Sequence, residues 1–173
     1  MRGYRSAVVV LLAFTLEAVP AGAQDARTVE VTPYVAVGSA AASPVGAAIT
    51  FPVTSTLSVE TDVAYRHGEG RINALSSTTS LLYFLPRVGQ SRPYVAGGVG
   101  LSQYGAPVLS SDGPPIGTQP RVALTVNAGG GLKMPMNEKL DLRTDARWLK
   151  SFGPQGSEQF RVAQGISFDV GKR

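Results

Sequence analysis

Past Gln24 the sequence carries a period of two and no helical period. Successive side chains of an extended strand fall on opposite faces, so alternating apolar and polar residues mark two-faced strands. The stretch LDLRTDARWLK, Leu140 to Lys150, shows it most sharply. Asp141, Arg143, Asp145 and Arg147 occupy one face, and Leu140, Leu142, Thr144, Ala146 and Trp148 the other. Seven other segments alternate in the same way: Val29–Val37, Val45–Phe51, Leu57–Arg66, Thr78–Leu85, Tyr94–Ser102, Val122–Lys133 and Phe160–Val170.

Each segment is about ten residues long, the length a tilted strand needs to cross a bilayer. The breaks between them alternate in length. Val53–Thr56, Pro86–Arg92 and Pro135–Lys139 are short, whereas Ser39–Pro44, His67–Ala74, Gly105–Pro120 and Ser151–Gln159 are mostly longer. Short turns at one end and long loops at the other describe a meander with two distinct ends. The pattern predicts an all-β chain folded as an eight-stranded antiparallel up-and-down transmembrane β-barrel. It fills one domain, residues 24–173, with no second domain or low-complexity tail.

Alternation alone does not say which face meets water, because a soluble lipocalin-like barrel has the same period with its faces exchanged. Three features place lipid outside. The polar face is built from Gly, Ala, Ser, Thr and Asn with charges of both signs, which suits a narrow closed interior. The aromatics gather at segment ends: Tyr65, Tyr104, Trp148, Phe152 and Phe160 beside the long loops, and Phe51, Tyr83, Phe84, Tyr94 and Phe168 near the short turns. Two such girdles match the two interfaces of a membrane. Finally, a sheet with no helix to cover it must close to remove its edges.

The N-terminus reads as a secretory signal, residues 1–23. Arg2 and Arg5 form a positive region, Ala7–Leu16 an apolar core too short to span a bilayer, and Ala21-Gly22-Ala23 a small-x-small cleavage site. The mature chain therefore leaves the cytoplasm. Its net charge of +4 does not point to nucleic acid, since the basic residues form no run or patch. With no Cys and one His, disulfides, thiolate chemistry and a zinc site fall away, and no cofactor or metal is expected.

If Leu140, Leu142 and Ala146 face lipid, the charges between them face the interior. There Asp141, Arg143, Asp145 and Arg147 can pair with Glu60, Asp62 and Arg66 of the third segment, with Lys133 and with Arg161. These nine residues form the expected interior charge cluster, with a structural role.

RPYVAGGVGLSQYG (Arg92–Gly105), NAGGGLKMPMNEKLDLRTDARW (Asn127–Trp148) and FRVAQGISFDV (Phe160–Val170) together resemble the small outer-membrane β-barrel proteins of the OmpA/OmpX-like, porin-like type. The resemblance covers the mature chain. It implies the bacterial outer membrane as location, with outer-membrane lipid and the barrel-assembly machinery as partners. Such proteins commonly end on an aromatic residue; here Phe168 is followed by Asp169-Val170-Gly171-Lys172-Arg173.

Two motifs invite chemistry. His67, in RHGEGR, would be the base of an outer-membrane lipid-modifying enzyme, with Glu69 to orient it and Ser76 or Ser77 nearby. A lipid A deacylase has a Ser two residues after its His, and that position holds Glu69, so a solvated loop histidine is the expectation. The glycine stretches NAGGGLK and AGGVG lack the following helix that a phosphate loop requires. Gly105–Pro120 is rich in Pro, Gly and Ser and reads as a surface loop, the place for a surface ligand. The function expected is a non-enzymatic barrel with a side-chain-filled interior and a structural or adhesive role through its external loops. A soluble periplasmic carrier of a small apolar ligand and an enzyme centred on His67 are the alternatives.

Overall fold

The computed structural model describes residues 28–39, 43–67, 74–110, 113–153 and 156–170, with side chains of 106–120 excluded. The expected signal peptide and Gly171-Lys172-Arg173 lie outside the described residues. Eight strands follow one another around a closed barrel. They are β1 (Val29–Gly38), β2 (Val45–Pro52), β3 (Leu57–Arg66), β4 (Ala74–Phe84), β5 (Arg92–Ser110), β6 (Gly113–Pro135), β7 (Leu140–Phe152) and β8 (Glu158–Val170). Each strand pairs antiparallel with its sequence neighbour, and β1 closes on β8.

The period-two pattern sets the faces. Val35, Val99, Val122 and Leu81 point outward at 63, 58, 58 and 55% exposure, while Thr32, Thr50, Thr78, Ser80 and Thr125 are buried inside. Hydrocarbon outside and polar side chains inside is the distribution of a membrane barrel rather than of a soluble one.

The β2–β3 and β6–β7 turns are built alike. The Thr54 hydroxyl accepts from the amides of Thr56 and Leu57 at 3.2 and 2.9 Å, and the Asn137 carbonyl oxygen accepts from those of Lys139 and Leu140, both at 2.9 Å. In each, a side chain takes up amides that the reversal would leave unpaired. At the opposite end, the expected loop Gly105–Pro120 is instead strand over its described residues, 105–110 and 113–120. Gly105 pairs with Pro120 and the ladder runs on to Ser110 and Gly113, so β5 and β6 extend as a hairpin past the other strands. Pro and Gly content suggested a loop, but the backbone of a two-stranded ribbon with free edges tolerates proline.

Two aromatics expected in the turn-side girdle face inward. Tyr94 and Phe84 are 2 and 6% exposed and pack with Leu82 and Ala96. Strand parity, not position along the strand, decides their direction. Inward tyrosines fit because glycines lie beneath them: a Cβ on Gly131 would sit 2.5 Å from the Tyr94 hydroxyl, and one on Gly46 would meet the Tyr34 ring. A glycine covered by a ring from the neighbouring strand is a recurring device in sheets.

The closing β1–β8 ladder has a gap. It pairs Val31 with Phe168 and Tyr34 with Gly165 in one register, but Thr32 and Pro33 between them make no backbone pairing with β8. Proline has no N–H to give. Inside the barrel the gap is bridged by side chains, the Thr32 and Ser167 hydroxyls lying 2.7 Å apart.

Candidate functional site

The interior has three levels along its axis. In the middle lies a charge layer assembled from β3, β7 and β8. Glu60 accepts from both guanidiniums of β7: from Arg143, whose Nη2 lies at 3.1 Å, and from Arg147 Nη2 at 2.6 Å, with the Thr50 hydroxyl adding a third donor at 2.9 Å. Asp145 pairs with Arg147 Nε at 2.8 Å and Arg143 Nη2 at 3.4 Å, and accepts from the Tyr94 hydroxyl at 2.6 Å. Arg161 reaches across to Asp62 at 3.3 Å and donates to the Tyr34 hydroxyl at 2.9 Å. Every member is buried. Three carboxylates thus face three guanidiniums, and burial of so many charges is sustainable only because each has a partner.

Below this layer, at the short-turn end, Lys133 bridges Glu30 at 2.6 Å and Asp141 at 3.2 Å. Phe84 closes that end, with the Arg92 guanidinium 4.4 Å and the Lys133 ammonium 6.0 Å from its ring centre. Within the layer, a void lined by Glu60, Asp62, Arg143 and Arg147 measures about 20 Å³, enough for a single water.

Above the layer, at the long-loop end, the barrel opens into a cup of about 200 Å³. Its lining includes Arg66, Arg161, Tyr104, Ser151 and Gln159. The hydroxyls of Ser102, Thr125 and Ser151, on three successive strands, form a chain around its wall, at 2.7 and 2.9 Å. Arg66 donates to the Gln159 side chain at 3.1 Å and pairs with no carboxylate among the described residues. Arg161 forms part of the floor, and its buried Nε has no hydrogen-bond partner among the described residues. No carboxylate lines the cup among the described residues.

Of the nine expected interior charges, Glu60, Asp62, Arg143, Asp145, Arg147 and Arg161 meet in the central layer. Lys133 and Asp141 stand apart at the turn end, and Arg66 belongs to the cup rather than to the ion pairs. Glu30, Tyr34 and Tyr94 were missed. Glu30 is the lone charge of β1, and its partner Lys133 lies on a strand far away in sequence.

His67 is exposed just beyond β3 and makes no hydrogen bond among the described residues. Ser76 points into the cup, whereas Ser77 shares the outward face of β4 with Thr79. Glu69, its expected orienting acid, lies outside the described residues.

No protein-family model matches the sequence, nor does any curated protein. Among solved structures, the N-terminal β-barrel domain of Pseudomonas aeruginosa OprF superimposes with a TM-score of 0.59 at 19% identity, over 83% of this chain and 97% of that one. Neisserial surface protein A matches with a TM-score of 0.65 at 11% identity, over 82 and 96%. The chain has the fold of the small OmpA/OmpX-like outer-membrane barrels. The outer membrane enzyme PagL shares it too, with a TM-score of 0.51 at 14% identity, over 82 and 99%. The fold therefore accommodates an enzyme and a surface protein alike, and residues rather than topology must decide what this chain does.

Proposed function

We propose that this chain is a non-enzymatic, non-conducting outer-membrane protein that acts by binding at its long-loop end. The observation that carries this reading is the asymmetry of the interior, open as a cup at one end and filled by ion pairs and Phe84 below it. In barrels of this kind the long loops face outward from the cell, so the cup and the β5–β6 hairpin would be presented to the surroundings. Two guanidiniums, a chain of hydroxyls and no lining carboxylate among the described residues suit a small, oxygen-rich anion, because charge-assisted hydrogen bonds are the strongest such a lining can offer. A soluble carrier of apolar ligands would need an apolar interior and a polar exterior, the reverse of this barrel.

Fractionation tests the location: the mature protein is expected to sediment with outer membranes, and recovery in the soluble periplasmic fraction would refute it. Reconstitution in planar bilayers tests the plug. Only small, irregular conductance is expected, because an eight-stranded interior is just wide enough for its own side chains. Regular single-channel steps of porin size would show an open path through the charge layer. The enzymatic alternative predicts that His67→Ala abolishes an acyl-chain change in membrane lipid. We expect mass spectra of lipid A to be the same with the wild-type and the mutant protein.

A further inference from the structure

The outward face carries one polar side chain that its surroundings do not explain. Gln164 lies on β8 midway between Phe160 and Phe168, on the same outward face, and is exposed. It makes no hydrogen bond among the described residues. Phe160 stands at the loop end of the strand and Phe168 at the turn end, so in the membrane reading proposed above, on which this inference rests, the amide sits near mid-bilayer. Hydrocarbon offers an amide no partner, and leaving one unpaired there is costly.

The neighbourhood adds to the demand. Thr144, directly across the ladder on β7, faces the same way. Beside them the β1–β8 pairing is interrupted at Thr32 and Pro33, so β8 backbone that would bond to β1 lacks its donor at Pro33. The other outward hydroxyls at this depth, Thr61 and Thr79, have each other at 3.5 Å. Around Gln164 the outward side chains are aliphatic: Val35, Val162, Ile166 and Ala146.

We propose that this face is where two copies of the chain meet, side by side in the membrane, with the Gln164 amides paired across a two-fold axis. A primary amide is donor and acceptor at once, so two of them related by two-fold symmetry satisfy each other with two hydrogen bonds. Closed two-fold contact is also the commonest arrangement of identical subunits. Lipid tails cannot supply these bonds, whereas interchain Gln side chains do so in other membrane proteins. The aliphatic side chains around the amide leave a flat patch between the Phe160 and Phe168 rings on which a second barrel can lie.

The natural absence of cysteine makes the test clean. Single cysteines are introduced at Gln164 and at Leu81 on β4, diametrically opposite in the strand order, and membranes carrying the full-length protein are oxidised. Disulfide-linked dimer is expected for Gln164→Cys and not for Leu81→Cys. Next, Val162→Cys is cross-linked with and without Gln164→Leu. Removing the amide is expected to lower the dimer yield by about five- to thirty-fold, the range of about one to two kcal/mol found for hydrogen bonds between model transmembrane helices. Unboiled samples on a gel show whether each variant keeps its barrel. Equal dimer from the two faces, an unchanged yield in Gln164→Leu with the barrel intact, or cross-links of Gln164→Cys only to a protein of other mass would each overturn the proposal. Recovery of the chain in the soluble fraction would instead remove the membrane reading beneath it, an outcome separate from failure of the dimer.

Discussion

Replacing Glu60 with leucine is expected to destabilise the folded barrel by about 3–5 kcal/mol, the cost of removing one partner from a buried ion pair. The effect belongs at the upper end because one carboxylate serves two guanidiniums. Glu60 is 1% exposed and holds Arg143 and Arg147 together, with the Thr50 hydroxyl at 2.9 Å. Without it, Asp145 alone is left between two buried positive charges on its own strand, and Thr50 loses its acceptor. Urea unfolding in lipid vesicles, followed by the mobility of unboiled protein on a gel, gives the number. The double variant Glu60→Leu with Arg147→Leu should lose much less than the two single losses added together, since each removes the other's stranded partner. A Glu60→Leu barrel as stable as the wild type would mean that water reaches the layer and the ion pairs do not close the interior.

The second large effect concerns the same strand read from its other face. Arg147 is 1% exposed inside the barrel, and its neighbour Ala146 points outward. Moving a guanidinium by one residue therefore carries it from a site with two carboxylate partners into hydrocarbon. Ala146→Arg is expected to cost about 2–4 kcal/mol at mid-bilayer depth, again read from urea unfolding in vesicles. The result that would contradict the face assignment is tolerance of arginine at Ala146 with loss of the barrel on placing leucine at Thr144, its outward neighbour. Cysteines at Leu142 and Asp145 extend the check without a charge: the first should react with lipid-partitioning thiol probes, the second should not.

Much of this was legible in the residues. Period two placed all eight strands, because a one-residue slip in a strand would turn every side chain over. Three things were hidden, for different reasons. The β5–β6 extension was obscured by its composition, since Pro, Gly and Ser are the usual marks of a loop and the extra pairing depends on backbone alone. Phe84 and Tyr94 were placed by their nearness to a turn, when the parity of Leu82 and Ala96 beside them already pointed inward. Gln164 breaks the alternation that located its strand, so a reading built on apolar periodicity passes over it. The height of each charge along the axis was also invisible: Arg66 has the inward parity of Glu60 and Asp62, but strand tilt and length lift it clear of the layer. Only the closed barrel shows that it stands beside Gln159 in the cup.

The order of the strands bears on how such a chain closes. Seven of the eight ladders join strands adjacent in sequence, whereas β1 meets β8 across the whole chain, the Thr32 and Ser167 side chains being 135 residues apart. The entropic cost of bringing chain segments together rises with the logarithm of the loop between them, so hairpins form cheaply and the final seam carries the long-range cost. That seam is also the ladder that lacks backbone pairing at Thr32 and Pro33. Until it shuts, the growing sheet is an open ribbon with two unsatisfied edges, one at each terminus of the strand order. Closing this barrel requires its first strand to meet its last, and the hydroxyls of Thr32 and Ser167 bridge that seam from within.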